Sequence, residues 1–210
     1  YGRSTLRDVA ARNAEAITSL KSNTMNSWTN DRKLEIEGIA RSENLINSLK
    51  DLNAPLATKE ARETIISSLE DRLSEVAQHE HPSLRSITIL DTKNRSILAH
   101  LPASTNIDVI DIGKTIELGS TKTTISNRYD EEDQRRELYI TVPIIINGTM
   151  QAMIFAELET LAFSMIVADR TGLGINGVNY MIDENGALVP PSNKTQIIPS
   201  QEFIDEVIKQ

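Results

Sequence analysis

The sequence contains no cysteine in 210 residues, and this absence excludes three kinds of chemistry. Without thiols the chain can form no disulfide, no thiolate zinc site and no cysteine nucleophile. Aromatic residues are also scarce, at 4%, so a core must be built mostly from Ile, Leu, Val and Ala. No apolar run approaches the roughly 18 residues that a bilayer-spanning helix requires, and no signal peptide is visible.

The sequence also lacks an excess of basic residues. The chain has 22 basic and 30 acidic residues, a net charge of −8 and a pI of about 5.0. Proteins that bind nucleic acid or anionic lipid use basic surfaces, so the composition argues against both kinds of partner. Because the chain starts at Tyr1 and stops at Gln210 without a recognisable end, we expect a part of a longer protein whose membrane spans lie outside it.

The N-terminal quarter has no proline before Pro55, and its only glycines are Gly2 and Gly38. Its apolar residues recur at helical intervals: Leu6, Val9, Ile17, Leu20, Trp28, Ile36, Ile39, Ile46 and Leu49. This pattern predicts an amphipathic helix over residues 1–54, with a potential break near Asn23–Asn30. Such a helix extends roughly 75 Å, more than one small domain covers. We therefore expect its first half to pair with a second subunit, as a homodimer, or to belong to a membrane-anchored stalk.

A second helix is predicted after Pro55, with Thr58 as its N-cap and its end before Pro82. Its buried stripe consists of Ile65, Leu69, Leu73 and Val76. Beyond Pro82 the periodicity changes to that of strands. Ser86–Asp91 and Ser96–His100 are rich in β-branched residues and are separated by four turn residues, which predicts a hairpin.

A second hairpin is the strongest local signal in the chain. Leu138–Ile146 and Thr149–Glu157 are joined by Asn147-Gly148, a dipeptide suited to the two positive φ angles of a type I′ turn. Both faces of the first strand are largely apolar, so we expect the sheet to be covered on both sides. Pro143 has no N–H for a strand ladder and should lie at an edge or at a bulge.

The remaining segments are shorter. A mixed stretch around Asp108 and Asp111 favours a loop or a short helix. The other predicted elements are a strand at Thr121–Arg128, a helix at Leu158–Asp169, a turn at Gly172–Gly177, strands at Asn179–Asp183 and Ala187–Val189, and a last helix near Gln201–Lys209.

Four segments, taken in order, resemble consecutive parts of one family. NSWTNDRKLEIEGIARS at 26–42 is similar to the entry helix of Cache sensor domains, and SITILDTKNRSILAH at 86–100 to their first hairpin. LYITVPIIINGTMQAMIFAELETL at 138–161 resembles their central hairpin with its Val-Pro-Ile. TGLGINGVNYMIDENGALV at 171–189 resembles the segment that opens the second module of double Cache receptors.

The resemblance implies an α+β fold: a long N-terminal helix and a PAS-like domain with a central antiparallel sheet flanked by helices. It implies three regions, namely the helix over 1–54, a membrane-distal PAS-like domain over 55–165, and the start of a smaller or truncated second module over 166–210. A complete second module would need several more strands after Val189 than the remaining residues supply.

The resemblance also implies a function. Cache domains are extracytoplasmic sensors, periplasmic or extracellular, that bind a small molecule and signal through helices to a histidine kinase, chemoreceptor or cyclase output. Catalysis and cofactors are therefore not expected in this chain. The amino-acid-sensing branch carries an Arg-x-Trp-Tyr cluster before the third strand, whereas this sequence has IDIGKTIELGSTKTT, with neither Arg nor Trp. That departure argues against amino-acid recognition.

The resemblance places a ligand cavity beside the central strands, where the candidate contacts are Ser126, Arg128, Tyr129, Tyr139 and Thr141. A guanidinium such as that of Arg128 can bind a carboxylate or phosphate through two parallel hydrogen bonds, and tyrosines can wall a pocket. The alternative is that Tyr139 belongs to the core and Arg128 to the surface. One sequence does not fix which way each strand faces, so both readings stay open.

Three other motifs lack the context that their chemistry needs. Gly172, Gly174 and Gly177 spell G-x-G-x-x-G, but a dinucleotide fingerprint leaves a strand and opens a helix, whereas this one does the reverse. His79 and His81 supply two of the ligands that a metal requires and no more. The acidic run Asp130–Asp133 lacks the spacing and central glycine of a calcium loop.

We therefore predict no metal site and no catalytic residue. Two rival functions stay open beside the sensor. The first is a dimerising or protein-binding module without a small-molecule ligand, which a closed cavity would favour. The second is a nucleotide-dependent enzyme, which a helix after Gly177 would favour.

Overall fold

The computed structural model describes residues 2–55, 58–76, 83–101, 112–119, 122–130, 135–159 and 161–173. Within these ranges the elements follow in the order α1 (Gly2–Ala40), α2 (Glu43–Leu52), α3 (Lys59–Glu75), β1 (Leu84–Asp91), β2 (Ser96–Leu101), α4 (Ile112–Gly119), β3 (Thr124–Asp130), β4 (Arg135–Ile146), β5 (Thr149–Leu158) and α5 (Leu161–Ala168). The predicted α+β class is confirmed.

The five strands form one sheet in the order β2-β1-β5-β4-β3. The pairings β1–β2, β1–β5 and β4–β5 are antiparallel. Both predicted hairpins are present, β1–β2 and β4–β5, and the two are joined edge to edge by the β1–β5 pairing. That long-range pairing places β5 at the centre of the sheet, although it is the last strand in the described part of the chain.

Helix α1 is continuous through residues 23–30, so the suggested break there is wrong. The polar β-branched residues in this stretch satisfy their hydroxyls on their own helix: Thr24 Oγ1 donates to the Leu20 carbonyl at 2.9 Å and Thr29 Oγ1 to the Met25 carbonyl at 2.8 Å. The helix ends instead at Ala40, and Ser42, with φ −63° and ψ 135°, separates it from α2. The predicted helix over 1–54 is therefore two helices.

Helices α2 and α3 follow their apolar periodicity. Helix α2 buries Leu45, Leu49 and Leu52 along one face. Helix α3 begins as predicted at Thr58, whose side chain accepts a hydrogen bond from the Ala61 N–H at 3.2 Å. Its predicted stripe is buried at Leu69, Leu73 and Val76, while Ile65 is half-buried.

The turn between β4 and β5 has the predicted geometry, since Asn147 has φ 53° and Gly148 has φ 78°. Pro143 lies on an interior strand, one residue before the register shift between Ile144 and Ile145. The expectation that both faces are covered holds along most of β4 and fails at Ile145, which is 54% exposed.

Two compact units divide the chain. One comprises residues 30–128 and 137–159, and its described part holds α2, α3, α4, β1, β2 and β5 whole, together with most of β3 and β4. The other comprises residues 1–29, 129–136 and 160–210, and its described part includes residues 2–29 of α1 and all of α5.

In the second of these units α5 contacts α1. The rings of Trp28 and Phe163 have centroids 5.6 Å apart. The Lys21 ammonium donates to the carbonyl oxygens of Ile166 at 2.9 Å and Asp169 at 2.7 Å, at the C-terminal end of α5, where free carbonyls favour a cation. Residues 21–28 of α1, which overlap the region for which the sequence predicted a second subunit or a stalk, therefore contact α5 within the chain.

Asp169 itself is held ionised. Its carboxylate accepts hydrogen bonds from the Thr171 hydroxyl at 2.6 Å and the Thr171 N–H at 3.0 Å, and it lies 3.2 Å from Lys21 Nζ. These contacts, the Thr171 hydroxyl first, lower the pKa of Asp169 from 3.8 to about 2. Gly172, which follows Thr171, has φ 82°, a positive value as expected of a turn glycine, while Gly174 and Gly177 of the predicted turn lie outside the described residues.

None of the described helices combines the length and the apolarity that crossing a bilayer requires. Several predicted features lie outside the described residues: His79–His81, the strands Asn179–Asp183 and Ala187–Val189, and the helix near Gln201–Lys209.

Candidate functional site

One face of the sheet is polar although it is buried. Side chains alternate across a strand, and the registers place Thr88 opposite both His100 and Phe155, and Glu157 opposite both Ser86 and Tyr139. The buried polar residues on this face are Ser86, Thr88, His100, Glu137, Tyr139, Thr141 and Glu157. The other face is largely apolar. Its buried apolar residues are Ile87, Ile89, Ala99, Leu138, Ile140, Val142, Ile144, Ala152, Ile154, Ala156 and Leu158, and Asp91 is a buried polar residue among them. We call the first of the two faces the polar face.

At the β1–β2 side of the polar face, a hydroxyl meets an imidazole. Thr88 is 0% exposed and His100 is 9% exposed, and Thr88 Oγ1 lies 2.8 Å from His100 Nδ1. A buried hydroxyl without a partner is costly, so this bond accounts for a threonine inside an Ile-rich strand. The tautomer of His100 determines which of the two atoms donates.

A carboxylate lies on the central strand of the polar face, near the end of β5. Glu157 accepts a hydrogen bond from the Ser86 hydroxyl at 3.3 Å and pairs with Arg85 Nε at 3.3 Å. Both contacts come from β1 because the register with β5 shifts between Leu84 and Ser86, which brings two consecutive residues to one glutamate. Burial of a charge is tolerated only with such partners.

Aromatic rings lie beside the carboxylates. Tyr139 stacks on Phe155 with ring centroids 4.6 Å apart and an interplanar angle of 24°. The Tyr139 hydroxyl donates a hydrogen bond to the Glu137 carboxylate, and both residues are on β4. Tyr139 is thus buried and lies on the polar face.

Helix α4 covers the apolar end of this face. A Cβ on Gly119 would lie 2.8 Å from Met153 Cε and 3.1 Å from Thr141 Cβ, so glycine allows the helix to touch the sheet. Next to this contact the hydroxyls of Thr124 and Thr141 are hydrogen-bonded to each other. Helix α4 therefore lies beside the hydroxyls of Thr124 and Thr141, which stay on the polar face.

The five predicted ligand residues are distributed as follows. Tyr139 and Thr141 lie together on the polar face. Ser126 is half-buried on β3, two residues after Thr124, and by strand alternation belongs to the same face. Arg128 and Tyr129 are on β3, but their side chains lie outside the described part of the structure.

Sequence reasoning missed Ser86, Thr88, His100, Glu137 and Glu157. A signal was available for two of them. In Ser-Ile-Thr-Ile the polar residues recur every second position within a strand, which marks one face as polar. The glutamates had no such signal, because a carboxylate at a strand end is usually solvated.

Among the described residues, no group of three or more His, Asp or Glu side chains is arranged to hold a metal. The groups of the polar face are hydroxyls, carboxylates, an imidazole and stacked rings. Ligand sites are lined mostly by apolar and aromatic side chains, with a few placed polar groups that fix the orientation of the ligand, and these polar groups are of the latter kind.

The sequence matches no protein-family model and no curated protein. Solved structures are similar in fold. A domain of a sensory box/GGDEF family protein from Vibrio parahaemolyticus matches with a TM-score of 0.61 and 13% identity, over 94% of this chain and 78% of that one. The extracellular domain of a histidine kinase matches with a TM-score of 0.60 and 13% identity, over 91% and 71%.

The ligand-binding domain of the Pseudomonas fluorescens chemoreceptor CtaA, in complex with L-serine, matches with a TM-score of 0.56 and 15% identity, over 94% of this chain and 78% of that one. At these identities the likeness establishes the fold. The chain has the fold of sensor and ligand-binding domains from membrane receptors.

Proposed function

We propose that this chain is the extracytoplasmic ligand-sensing part of a membrane receptor, and that the polar face is one wall of its ligand site. The observation that carries the proposal is the row of buried hydroxyl, carboxylate and imidazole groups on a sheet whose other face is apolar. Polar groups are rarely buried without a reason, and a site that must recognise polar ligand atoms supplies one. Likeness to sensor domains of kinases and chemoreceptors supports the same reading.

The ligand in this proposal is a small polar molecule with both hydrogen-bond donors and acceptors. The carboxylates of Glu137 and Glu157 accept, and the hydroxyls of Thr88 and Thr141 do either. Ser126, Arg128 and Tyr129 on β3 remain predicted contacts beside these groups. Although the CtaA domain was solved with L-serine, this chain lacks the Arg-x-Trp-Tyr cluster of the amino-acid-sensing branch, so an amino acid is one class to test among several.

The wider protein in this proposal is a double Cache receptor with a kinase, chemoreceptor or cyclase output, and this chain is not catalytic. Residues 166–210 would begin a reduced second module. The receptor would be a homodimer through α1, which leaves Val9 and Leu20 43% and 67% exposed. A ligand that binds one of two states more tightly would shift α1 against its mate.

The test is a thermal-shift panel on the purified chain with carboxylates, amino acids, amines, sugars, purines and nucleotides. A ligand at about a hundred times its dissociation constant stabilises the fold by about 2.7 kcal/mol, which raises Tm by roughly 5–10 °C in a chain of this size. We expect a response from one chemical class. A flat response across the panel contradicts the proposal and favours the dimerising module.

Variants locate the response. Thr88→Val and Thr141→Val each remove a hydroxyl from the polar face at nearly constant shape, and each should lower the affinity of the active compound about tenfold or more. Thr149→Val is the matched control, because it removes a hydroxyl from an exposed turn position of β5. If all three variants bind equally well, the site is elsewhere.

A further inference from the structure

A groove lies on the helices, away from the polar face. The end of α1, α2 and α3 enclose about 650 Å³ between them, within the usual size range of small-molecule sites. Its apolar lining consists of Leu34, Ile39, Leu45, Leu69, Leu73 and Val76. All of these residues belong to one compact unit, the one that contains most of the sheet.

The α2 wall of this helical groove is polar. Asn44, Asn47, Ser48 and Asp51 line it at spacings of three and four residues, so they form one stripe on the helix. None of these four side chains forms a hydrogen bond or an ion pair with a residue in the described part of the structure. The groove thus joins an apolar floor to a strip of amide, hydroxyl and carboxylate groups that are available to an occupant.

Charge determines which occupant fits. Of the three charged residues in the lining, Glu35 is paired with Arg32 at 2.8 Å and Arg72 with Glu75 at 2.5 Å. Asp51 forms no ion pair with any described residue. A positively charged group is therefore favoured at the α2 wall over a negatively charged one.

Gly38 keeps the groove open on the α1 side. Its φ is not in the left-handed region, and a Cβ at this position would meet nothing within 4 Å. Glycine is disfavoured in a helix interior relative to alanine, and neither backbone geometry nor close packing requires it here. What distinguishes Gly38 is that it lines the groove and has free space where a side chain would be.

We infer that the helical groove is a second binding site, for a small amphipathic amine. The apolar body would cover Leu69 and Leu73, and the ammonium would bind Asp51 with help from the amide oxygen of Asn47. This site is separate from the one proposed on the polar face and does not depend on it.

The experiment compares n-octylammonium with n-octanoate by isothermal titration calorimetry on the whole chain, since the two share an apolar body and differ in charge. We expect octylammonium to bind about tenfold more tightly, as a charge-assisted hydrogen bond provides. Asp51→Asn, an exposed and conservative change, should abolish the preference. Equal binding of the two probes to the wild type overturns the inference.

Two substitutions at one position test the groove itself. Gly38→Phe fills it and should weaken octylammonium binding about tenfold, while Gly38→Ala, which leaves most of the space, should change it less than about threefold. Thr88→Val on the polar face should have no effect on this probe, so the two sites can fail independently. Unchanged binding in Gly38→Phe refutes the site. A change in sedimentation behaviour in Gly38→Phe, with binding unchanged, also refutes it and assigns the groove to contact with a second copy.

Discussion

The two faces of the central sheet differ in chemistry. On one face, β1, β2, β4 and β5 contribute Ile, Leu, Val or Ala to the core. On the other, threonine, serine, histidine and glutamate side chains are buried and hydrogen-bonded across strands. The apolar face stabilises the fold by removing surface from water, in proportion to area and without direction. The polar face contributes little net stability, because its hydrogen bonds replace bonds to water, but it fixes directions in which a ligand can be recognised.

The largest expected difference is between two isoleucines of β4. Ile140→Ala, on the apolar face, should lower the free energy of unfolding by about 2–5 kcal/mol, because Ile140 is 0% exposed and truncation leaves a cavity. Ile145→Ala, on the same strand but 54% exposed, should change it by no more than about 0.5 kcal/mol. Urea denaturation measures both. Similar losses for the two would contradict the difference in burial between these two positions.

A smaller effect is expected where α4 touches the polar face. Gly119→Ala places a Cβ against Met153 and Thr141 and should cost about 1–3 kcal/mol of stability. The loss should be partly relieved when Met153 is also shortened to alanine, so the double-mutant cycle should show a coupling of about 0.5 kcal/mol or more.

Gly38→Ala is the control for Gly119→Ala. It is also a helical glycine, it has free space around its Cβ, and it should raise stability by about 0.5–1 kcal/mol. If both alanines are stabilising, the contact between α4 and the sheet is looser than these distances indicate.

The smallest effect on stability is expected from the ion pair between Lys21 and Asp169, because Asp169 is exposed whereas the polar groups of the polar face are buried. The pKa of Asp169 is lowered in the folded chain, so its contribution to stability is complete above the ordinary value of 3.8 and is lost as the pH falls toward about 2. The protection of α5 from hydrogen exchange, relative to the intrinsic rate at each pH, should therefore fall over that interval in the wild type. Asp169→Asn should remove this change in protection, and an identical profile in the two proteins would show that the ion pair with Lys21 does not hold α5.

Local sequence signals predicted most of the secondary structure, and their failures have physical causes. Thr58 as a cap and Asn147-Gly148 as a turn depend on interactions within a few residues, so the sequence alone is sufficient to find them. The sequence suggests a break near residues 23–30 because Thr and Asn have weak helix propensity, but propensity is a weak preference that the surrounding structure overrides. The hydroxyls of Thr24 and Thr29 find their partners on the preceding turn of the same helix. Ser42, between the end of α1 at Ala40 and the start of α2, has the extended backbone of an N-cap, a position that serine favours but that the apolar periodicity does not mark.

In the candidate site, too, local patterns identified some residues, and others required the long-range strand pairing. Tyr139 and Thr141 could be named because polar residues stood out in an apolar strand. Thr88, His100 and Glu157 could not be joined to them, since that requires the pairing of β1 with β5, strands separated by more than 50 residues.

By itself, the sequence determined the acidic balance, the absence of thiol chemistry, the two hairpins and the capped helix, because composition and short-range hydrogen bonds decide these. Only the tertiary structure decided that β5 lies at the centre of the sheet, that one face of the sheet is polar, and that three helices leave a groove beside Gly38. Those features arise from contacts between distant segments, whose free energy is gained only when the whole chain has folded.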